Sequence, residues 1–275
     1  MNSNLEYNNL LLKKIIENNM SKYLITGVSS GIGKALTKKL ISDKQIVWGI
    51  ARRGQRLKEL KEELNNSANF IYTPMDQTEK NCWQSLVNKF KEKNFIPKII
   101  IFNAAISQND LKNGIEIETL KKMVDVNFLG IMRGINSLIP FAKPGTQFIA
   151  ISSFSALKGS GIEGIGYAAS KAALSIGFES LYQKYKDKGI IFKTIYFGPI
   201  GSGMGPFKKI APFILSEDQA VNCIINSTKS NKAQFFYPKS IFFIFKIIKL
   251  LPSNIYFKIL SQMESFHLKL KKPLC

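Results

Sequence analysis

The stretch "TGVSSGIG", residues 26–33, decides the fold of this chain. It lies between an apolar run, "YLIT" at 23–26, and a helical pattern that begins near Gly31. Gly27 permits a sharp turn with backbone angles that other residues avoid, and Gly31 lets a ligand approach the main chain. Gly33 lets the helix pack closely on the strands. The free N–H groups and positive dipole end of such a helix suit a phosphate or pyrophosphate, although an ordinary strand-to-helix turn is the alternative.

Short apolar runs alternate with helical patterns on both sides of this turn. In the helical segments apolar residues recur every three or four positions, and Ser216 with Gln219 has the spacing of a capping box. Continuous apolar strands separated by helices are typical of a parallel sheet covered on both faces. We therefore predict an α/β fold, a Rossmann-type doubly wound parallel sheet flanked by helices, with ligands at the carboxyl ends of the strands. The seven predicted strands are residues 23–26, 45–51, 69–73, 98–103, 147–152, 190–197 and 234–237.

The composition excludes several classes of protein. The chain has 275 residues, 45% of them hydrophobic, and its net charge is +20. The lysines are scattered and no aromatic-plus-basic motif appears, so we expect no nucleic-acid partner, while a composition bias and a membrane-surface role stay open. Three distant cysteines form no CxxC pair, and the single histidine, His267, lies near the end of the chain. Ser–His catalysis and a bound metal are therefore not expected.

Further motifs follow the glycine-rich turn in a fixed order. They are "FNAA" (102–105), "DVNFLG" (125–130), "ISS" (151–153) and "YAASK" (167–171). Together with the turn they resemble the short-chain dehydrogenase/reductase family, over about residues 21–205. The resemblance implies a nicotinamide cofactor and hydride transfer between a carbonyl and an alcohol. It also implies a homodimer or homotetramer, because family members commonly pair through their long fourth and fifth helices.

Tyr167 and Lys171 are the predicted proton-handling pair. They are four residues apart in a helical segment, so their side chains share one helix face. A free phenol has a pKa of about 10, and a nearby ammonium lowers it by stabilising the phenolate. We predict that Tyr167 donates and accepts the proton, and that Lys171 tunes it and, as the resemblance implies, holds the cofactor ribose. The alternative is a packed tyrosine beside a solvated lysine.

Two further catalytic residues are predicted from the motifs. Ser153 is the hydroxyl expected to polarise the substrate carbonyl and to stabilise the developing oxyanion. The family places that serine thirteen residues before the tyrosine and here the gap is fourteen, so Ser152 and Ser155 remain rivals. Asn127 matches the family asparagine that organises a helix and a bound water for proton relay. A structural helix asparagine is its alternative.

The second predicted strand is followed by Arg52 and Arg53, which bear on the choice of cofactor. Proteins that use NAD typically carry an acid there for the ribose 2′-hydroxyl, but residues 45–58 contain no Asp or Glu. Two guanidinium groups favour a 2′-phosphate, so we predict NADP(H); arginines on a solvated helix start are the alternative. Asp76 resembles the family acid that contacts the adenine amino group, with a simple N-cap as the rival interpretation.

The complete set of predicted cofactor contacts combines the turn, the strand ends and the catalytic helix. It comprises Gly27, Ser29, Ser30, Gly31, Ile32, Gly33, Arg52, Arg53, Asp76, Asn103, Ala104, Tyr167, Lys171, Ile200 and Ser202. The chain departs from the family where "FNAA" replaces "NNAG" and where "FG" replaces "PG" after the sixth strand. Ser202 stands where a threonine is usual. None of these departures removes a proton-handling group.

The chain divides into three predicted regions. Residues 1–20 are an N-terminal extension without the features of a signal peptide, residues 21–238 the NADP-binding catalytic domain, and residues 239–275 a basic amphipathic tail. The tail has seven lysines and one glutamate, and its apolar run of eleven residues at 241–251 is too short to span a bilayer. A membrane interface on the one hand, and a substrate cleft or subunit interface on the other, are equally compatible with it. We expect a cytoplasmic protein, at most peripheral on a membrane surface.

The predicted function is an NADP(H)-dependent oxidoreductase that interconverts a ketone or aldehyde and an alcohol. Apolar, glycine-rich loops around residues 107–114, 154–164 and 201–214 favour a bulky hydrophobic substrate. Two alternatives belong to other classes: a non-catalytic NADP(H)-binding sensor or scaffold, and a peripheral membrane protein of the same fold.

Overall fold

The computed structural model describes residues 20–112, 114–157, 159, 164–201, 214–252, 254–258 and 261–262. Seven parallel strands form one sheet in the order β3-β2-β1-β4-β5-β6-β7, which confirms the predicted doubly wound fold. The strand order reverses between β1 and β4, and this reversal leaves a crevice beyond their carboxyl ends. The strands are β1 Lys22–Thr26, β2 Ile46–Ala51, β3 Phe70–Pro74, β4 Ile99–Phe102, β5 Gln147–Ser153, β6 Ile191–Phe197 and β7 Gln234–Tyr237.

Helices connect the strands and cover both faces of the sheet. The predicted capping box is confirmed at the start of the helix Glu217–Thr228. The Gln219 N–H donates to the Ser216 hydroxyl at 3.1 Å, and the Ser216 N–H donates to Gln219 Oε1 at 2.9 Å. A π-helical turn, Asp125–Leu129, joins the helices Ile117–Val124 and Gly130–Leu138. The helices are α1 Gly31–Ser42, α2 Gly54–Glu63, α3 Cys82–Glu92, α4 Ile117–Val124, α5 Gly130–Leu138, α6 Ile165–Tyr185, α7 Glu217–Thr228 and α8 Lys239–Leu250.

The hydrophobic core consists of two clusters, one on each face of the sheet. Successive strand residues point to opposite faces, so Leu24 packs in one cluster and Ile25 in the other. Helices α1, α2 and α7 cover the face of Ile25, and α3, α5 and α6 cover the face of Leu24. The sheet is therefore buried on both sides, which explains why its strands are continuous apolar runs.

The described part of the C-terminal region packs on the sheet through one side. Phe242 of α8 stacks on Phe236 of β7 with ring centroids 3.8 Å apart. The Tyr256 hydroxyl donates to the Gly159 carbonyl at 2.7 Å, in the loop that follows β5. No helix among the described residues combines the length and the apolar character that crossing a bilayer requires. The N-terminal extension up to residue 19, Ser202 and His267 lie outside the described residues.

Candidate active site

The glycine-rich turn forms the floor of the crevice. Gly27 has φ +76°, and a Cβ there would lie 2.8 Å from the Ala104 Cα. A Cβ on Gly33 would collide with the Gly27 carbonyl oxygen and lie 2.6 Å from Asn103 Nδ2. Both positions therefore need glycine. The close neighbours of Gly33 are the carbonyl group of Gly27 and the side chain of Asn103, which follows β4.

Helix α1 begins at this turn, and no described residue bonds to its first N–H groups. Ser30 precedes the helix, its side chain makes no capping hydrogen bond, and the first turn carries no acid. A cavity of about 270 Å³ lies above it. The helix start thus offers N–H donors and a positive dipole end to an anion in that cavity. The predicted cofactor residues that line the cavity are Gly27, Ser29, Ser30, Gly31, Ile32, Arg52, Arg53, Asp76, Asn103 and Ala104.

Arg53 turns back from the start of α2 towards the glycine-rich turn. Its Nη2 donates to Ser29 Oγ at 2.9 Å and to Ser30 Oγ at 3.1 Å. Burial lowers the pKa of the Arg53 guanidinium, and the nearby cations Arg56 and Arg52 lower it further. A site that holds several cations together favours a ligand with additional negative charge.

Asp76 lies at the same end of the cavity. Its Oδ2 is 3.7 Å from Arg52 Nη1, and its Oδ1 accepts from the Thr78 N–H at 3.0 Å and the Thr78 hydroxyl at 2.7 Å. Helix α3 begins only at Cys82. The N-cap interpretation of Asp76 is therefore wrong, because the side chain closes a turn after β3 and caps no helix.

Tyr167 and Lys171 lie in the first two turns of α6, as the spacing predicts. Lys171 Nζ is 5.9 Å from the centroid of the Tyr167 ring and donates to the Ile151 carbonyl at 2.7 Å. Lys171 is 3% exposed, and burial lowers the pKa of its ammonium to about 8. The alternative of a solvated lysine is therefore wrong.

The serines at the end of β5 have different surroundings. Ser153 is the last residue of the strand; its hydroxyl accepts from the Ser155 N–H at 3.1 Å and lies 3.0 Å from the Ser155 hydroxyl. Ser152 is buried, and its hydroxyl lies 2.9 Å from that of Ser175, inside the packing of α6 on the sheet. Strand alternation thus turns Ser152 towards α6, while Ser153 and Ser155 form one pair.

Asn127 is fully buried in the π-helical turn. Its amide donates to the Ile106 carbonyl at 2.9 Å and to the Ser170 hydroxyl at 3.0 Å, and it accepts from the Ile106 N–H at 2.8 Å. The Ser170 hydroxyl in turn donates to the Tyr167 carbonyl at 2.8 Å. Asn127 therefore ties the loop after β4 to the first turn of α6, and both of its amide protons are used in doing so.

Four of the predicted cofactor residues that the structure describes lie outside the lining of the cavity, and Gly33, in the first turn of α1, is one of them. Tyr167 and Lys171 lie on α6, and Ile200 is partly buried and pairs with Leu215.

Sequence reasoning missed two buried residues of this region. Gln77 lines the cavity and donates to the Val126 carbonyl at 2.7 Å, while its Oε1 has no hydrogen-bond partner within the described residues. Asp110, in the loop after β4, accepts from the N–H groups of Ile165 and Gly166 at 2.8 and 2.6 Å. The place of Gln77 directly after Asp76 could have suggested the first. No local pattern indicates the second.

The residues of the cavity fit a dinucleotide. Gly27 and Gly33 let the turn and the first turn of α1 pack closely against Ala104 and Asn103. The start of α1 is open, and arginines lie at one end of the cavity. The unpartnered oxygen of Gln77 is a buried acceptor that the described protein leaves unused, and buried acceptors are normally satisfied.

The chain is similar to curated reductases. It is 31% identical over 153 residues to the NADPH-dependent pterin aldehyde reductase of Arabidopsis thaliana, a match that covers 55% of this chain and 63% of that protein. It is 31% identical over 165 residues to the benzil reductase ((S)-benzoin forming) of Saccharomyces cerevisiae, covering 55% of this chain and 61% of that one. The matched segment thus spans about three fifths of each relative.

A solved structure and a family profile agree with these relatives. A short-chain type dehydrogenase/reductase from Mycobacterium ulcerans superposes with a TM-score of 0.70 at 19% identity, over 78% of this chain and 87% of that chain. The profile of the short chain dehydrogenase family matches residues 21–210. The chain therefore belongs to the short-chain dehydrogenase family of NAD(P)-binding oxidoreductases.

Proposed function

We propose that this protein is an NADP(H)-dependent oxidoreductase that interconverts a hydrophobic ketone or aldehyde and its alcohol. The observation that carries the proposal is the Tyr167–Lys171 pair, with a buried ammonium 5.9 Å from the phenol ring, on the helix that packs against β5. The names of the two relatives describe reductases of an aldehyde and of a diketone, which supports a carbonyl substrate.

The proposed chemistry assigns one task to each side chain. Nicotinamide, when bound, supplies or accepts the hydride at the carbonyl carbon. The Ser153 hydroxyl donates to the substrate oxygen, and the Tyr167 phenol delivers a proton to that oxygen as negative charge develops on it. In the reverse direction the Tyr167 phenolate takes the proton of the alcohol.

Lys171 makes the phenolate accessible near neutral pH. Its ammonium is shielded from water, so its attraction for the phenolate is weakly screened. With a pKa of about 8 it is still mostly protonated at pH 7. Asn127 acts through Ser170 and the Tyr167 carbonyl, which hold the first turn of α6 in place.

The preference for NADP(H) rests on Arg52 and Arg53. Both side chains line the cavity at the end of β2, where a ribose 2′-substituent is bound in proteins of this fold. Arg53 is already oriented by the hydroxyls of Ser29 and Ser30. Guanidinium groups held in this way suit charge-assisted hydrogen bonds to a phosphate.

The test is a panel of hydrophobic carbonyl compounds, including benzil and aromatic aldehydes, followed by NADPH absorbance. Tyr167→Phe should lower kcat by roughly 10³-fold, because the proton donor is lost, while the Kd of NADPH changes less than about twofold. Tyr182→Phe, on the same helix, is the matched control. Unchanged turnover in Tyr167→Phe would remove the assigned chemistry, and NADPH binding without turnover of any compound would favour a non-catalytic sensor or scaffold.

We also propose that the C-terminal region contacts a membrane surface. Phe243, Ile247 and Leu250 share one face of α8 and are 62%, 64% and 85% exposed. Phe242 and Tyr256 hold the region to the sheet and to the loop after β5. An apolar stripe on a lysine-rich segment suits the interface of an anionic bilayer, and its position near that loop suits a substrate that partitions into lipid.

Vesicle sedimentation tests this contact in the full chain. The protein should sediment with vesicles that contain phosphatidylglycerol and less with phosphatidylcholine alone. The triple variant F243S/I247S/L250S should stay in the supernatant, whereas Ile96→Ser, at an exposed apolar residue elsewhere, should not. Equal sedimentation of the triple variant and the parent would refute the contact.

We further propose that the protein assembles as a homodimer or homotetramer. Ile176, on the 21-residue helix α6, is 64% exposed and is therefore accessible to a partner subunit. Sedimentation velocity of the parent and of Ile176→Glu distinguishes the assembled protein from a monomer.

A further inference from the structure

The start of helix α6 has no cap of its own. Gly164 precedes the helix with φ +80° and has no side chain, and the first turn contains no acid. The first N–H groups of any helix lack partners within the helix, and here Gly166 is buried. A cap from elsewhere in the chain is therefore required.

Asp110 supplies that cap from 55 residues away. Its two carboxylate oxygens accept from the N–H groups of Ile165 and Gly166 at 2.8 and 2.6 Å. Asp110 is 0% exposed, and it has no ion-pair partner within the described residues. A buried carboxylate is costly unless it is well bonded, so the N–H groups and the dipole of α6 compensate its charge.

The surroundings leave Asp110 little freedom. Its own carbonyl accepts from the Glu116 N–H at 2.9 Å, which holds the loop at the start of α4. A Cβ on Gly164 would collide with Asp110 Oδ1, and a Cβ on Gly166 would lie 3.0 Å from Oδ2. The two glycines therefore let the main chain of α6 approach the carboxylate closely. This contact fixes the position of the first turn of α6 relative to the loop after β4.

We propose that Asp110 is a positioning residue for the proton donor. Tyr167 directly follows the two residues that Asp110 binds, so a shift of the carboxylate moves the Tyr167 main chain and its ring. The same carboxylate ties the loop after β4, which we expect to contact the substrate, to the helix that bears the donor. A displacement of about 1 Å at a reacting group can cost roughly 10²-fold in rate. This inference rests on the proposed function of Tyr167.

The experiment compares Asp110→Asn, Asp110→Glu and Asp187→Asn with the parent and with Tyr167→Phe. Asp110→Asn keeps the size of the side chain but sets an NH₂ group against a main-chain N–H donor. Asp110→Glu keeps the charge and both acceptors but lengthens the side chain by one carbon. Asp187, exposed in the turn Lys186–Lys188 that follows α6, is the matched control. Reduction of benzil, the Kd of NADPH and the melting temperature are measured for each.

We expect Asp110→Asn to lower kcat at least tenfold with less than a twofold change in the Kd of NADPH, because Asp110 does not line the nucleotide cavity. Asp110→Glu should fold and lose kcat about fivefold or more, and Asp187→Asn should match the parent. Parental kcat in Asp110→Asn, or in Asp110→Glu if the first variant does not fold, overturns the inference. The inference is also overturned if Asp110→Asn loses NADPH affinity by the same factor as kcat. If Tyr167→Phe keeps its activity, the proposed function fails instead.

Discussion

Two helix starts in this protein are built in opposite ways. Helix α1 begins beneath the nucleotide cavity without a capping side chain and without an acid in its first turn. Helix α6 also lacks a local cap, but the buried carboxylate of Asp110 closes it. A third helix, α7, has the ordinary solution, a capping box made by Ser216 and Gln219 of its own sequence.

The difference follows from what each helix start must hold. Open N–H groups are an unused binding site for an anion, so α1 is suited to a ligand that arrives from solution. The start of α6 carries Tyr167, the proposed proton donor, and the buried carboxylate of Asp110 binds the two N–H groups that precede it. Substitutions can cap the open start of α1, or remove the features that each helix start depends on, one at a time.

The largest effect is expected from closing the turn below α1. In Gly33→Ala the new Cβ would collide with the Gly27 carbonyl oxygen, so the Kd of NADPH should rise more than about 100-fold and the melting temperature should fall. Gly177→Ala is the control, since a Cβ there finds its nearest neighbour at 3.5 Å, and this variant should gain about 0.5–1 kcal/mol of stability. Nucleotide titration and thermal unfolding measure both. If Gly33→Ala bound NADPH as tightly as the parent, the close packing at Gly33 would not be needed for nucleotide binding.

The next effect concerns the anion that the open start is expected to receive. The double variant R52A/R53A should raise the KM for NADPH roughly 30-fold and leave the KM for NADH within about twofold, because only the 2′-phosphate loses its charge-assisted hydrogen bonds. Lys58→Ala, which removes an exposed cation outside the cavity lining and outside the cluster around Arg53, should affect neither. Equal losses for both nucleotides would rule out recognition of a 2′-phosphate.

Giving α1 the kind of cap that α6 has is a direct test of the comparison. Ser30→Asp places a carboxylate at the open helix start, which should stabilise the free protein by about 0.5–1 kcal/mol. The same charge should weaken NADPH binding roughly tenfold, because it occupies the N–H groups and repels the phosphates. Thermal unfolding and nucleotide titration check the two signs. Tighter NADPH binding would show that the start of α1 receives no anion.

The smallest effect is expected from a change of pH, which alters the charge of Lys171 on α6. Burial lowers the pKa of Lys171 from its usual 10.5 to about 8, so its ammonium is lost as the pH rises through that value. The kcat/KM for NADPH, which reports groups of the cofactor-free enzyme, should therefore fall about fivefold between pH 8 and 9. Lys171→Arg stays charged and should have a flat profile at a lower rate. A flat profile in the parent would contradict the need for the ammonium.

The sequence predicted the elements whose causes are local. The β1–α1 turn, the seven strands and the capping box at Ser216 all follow from neighbouring residues, and each was found within one or two residues of its predicted place. The spacing of Tyr167 and Lys171 likewise follows from one helix turn. The periodicity of apolar residues and the placement of glycines are properties of short segments, so they can be recognised in one sequence without knowledge of the tertiary structure.

Other parts of the site depend on contacts between distant segments. Asp110 and Ile165 are 55 residues apart, and nothing near either residue indicates that they meet. The burial of Lys171 arises from how α6 packs on the sheet, where its Nζ donates to the Ile151 carbonyl. The acceptor left over on Gln77 becomes visible only when its other bond, to Val126, is known. Such features require the packed structure.

The contact of Tyr256 with Gly159 has a practical consequence for shortened versions of this protein. A chain cut after β7 would lose both the ring that covers Phe236 and the hydroxyl that holds the loop beyond Ser153. Inactivity of that truncated chain would report a disturbed substrate entrance as readily as a lost lipid anchor. Single replacements of the exposed residues Phe243, Ile247 and Leu250 separate the two explanations, because they leave Phe242 stacked on Phe236.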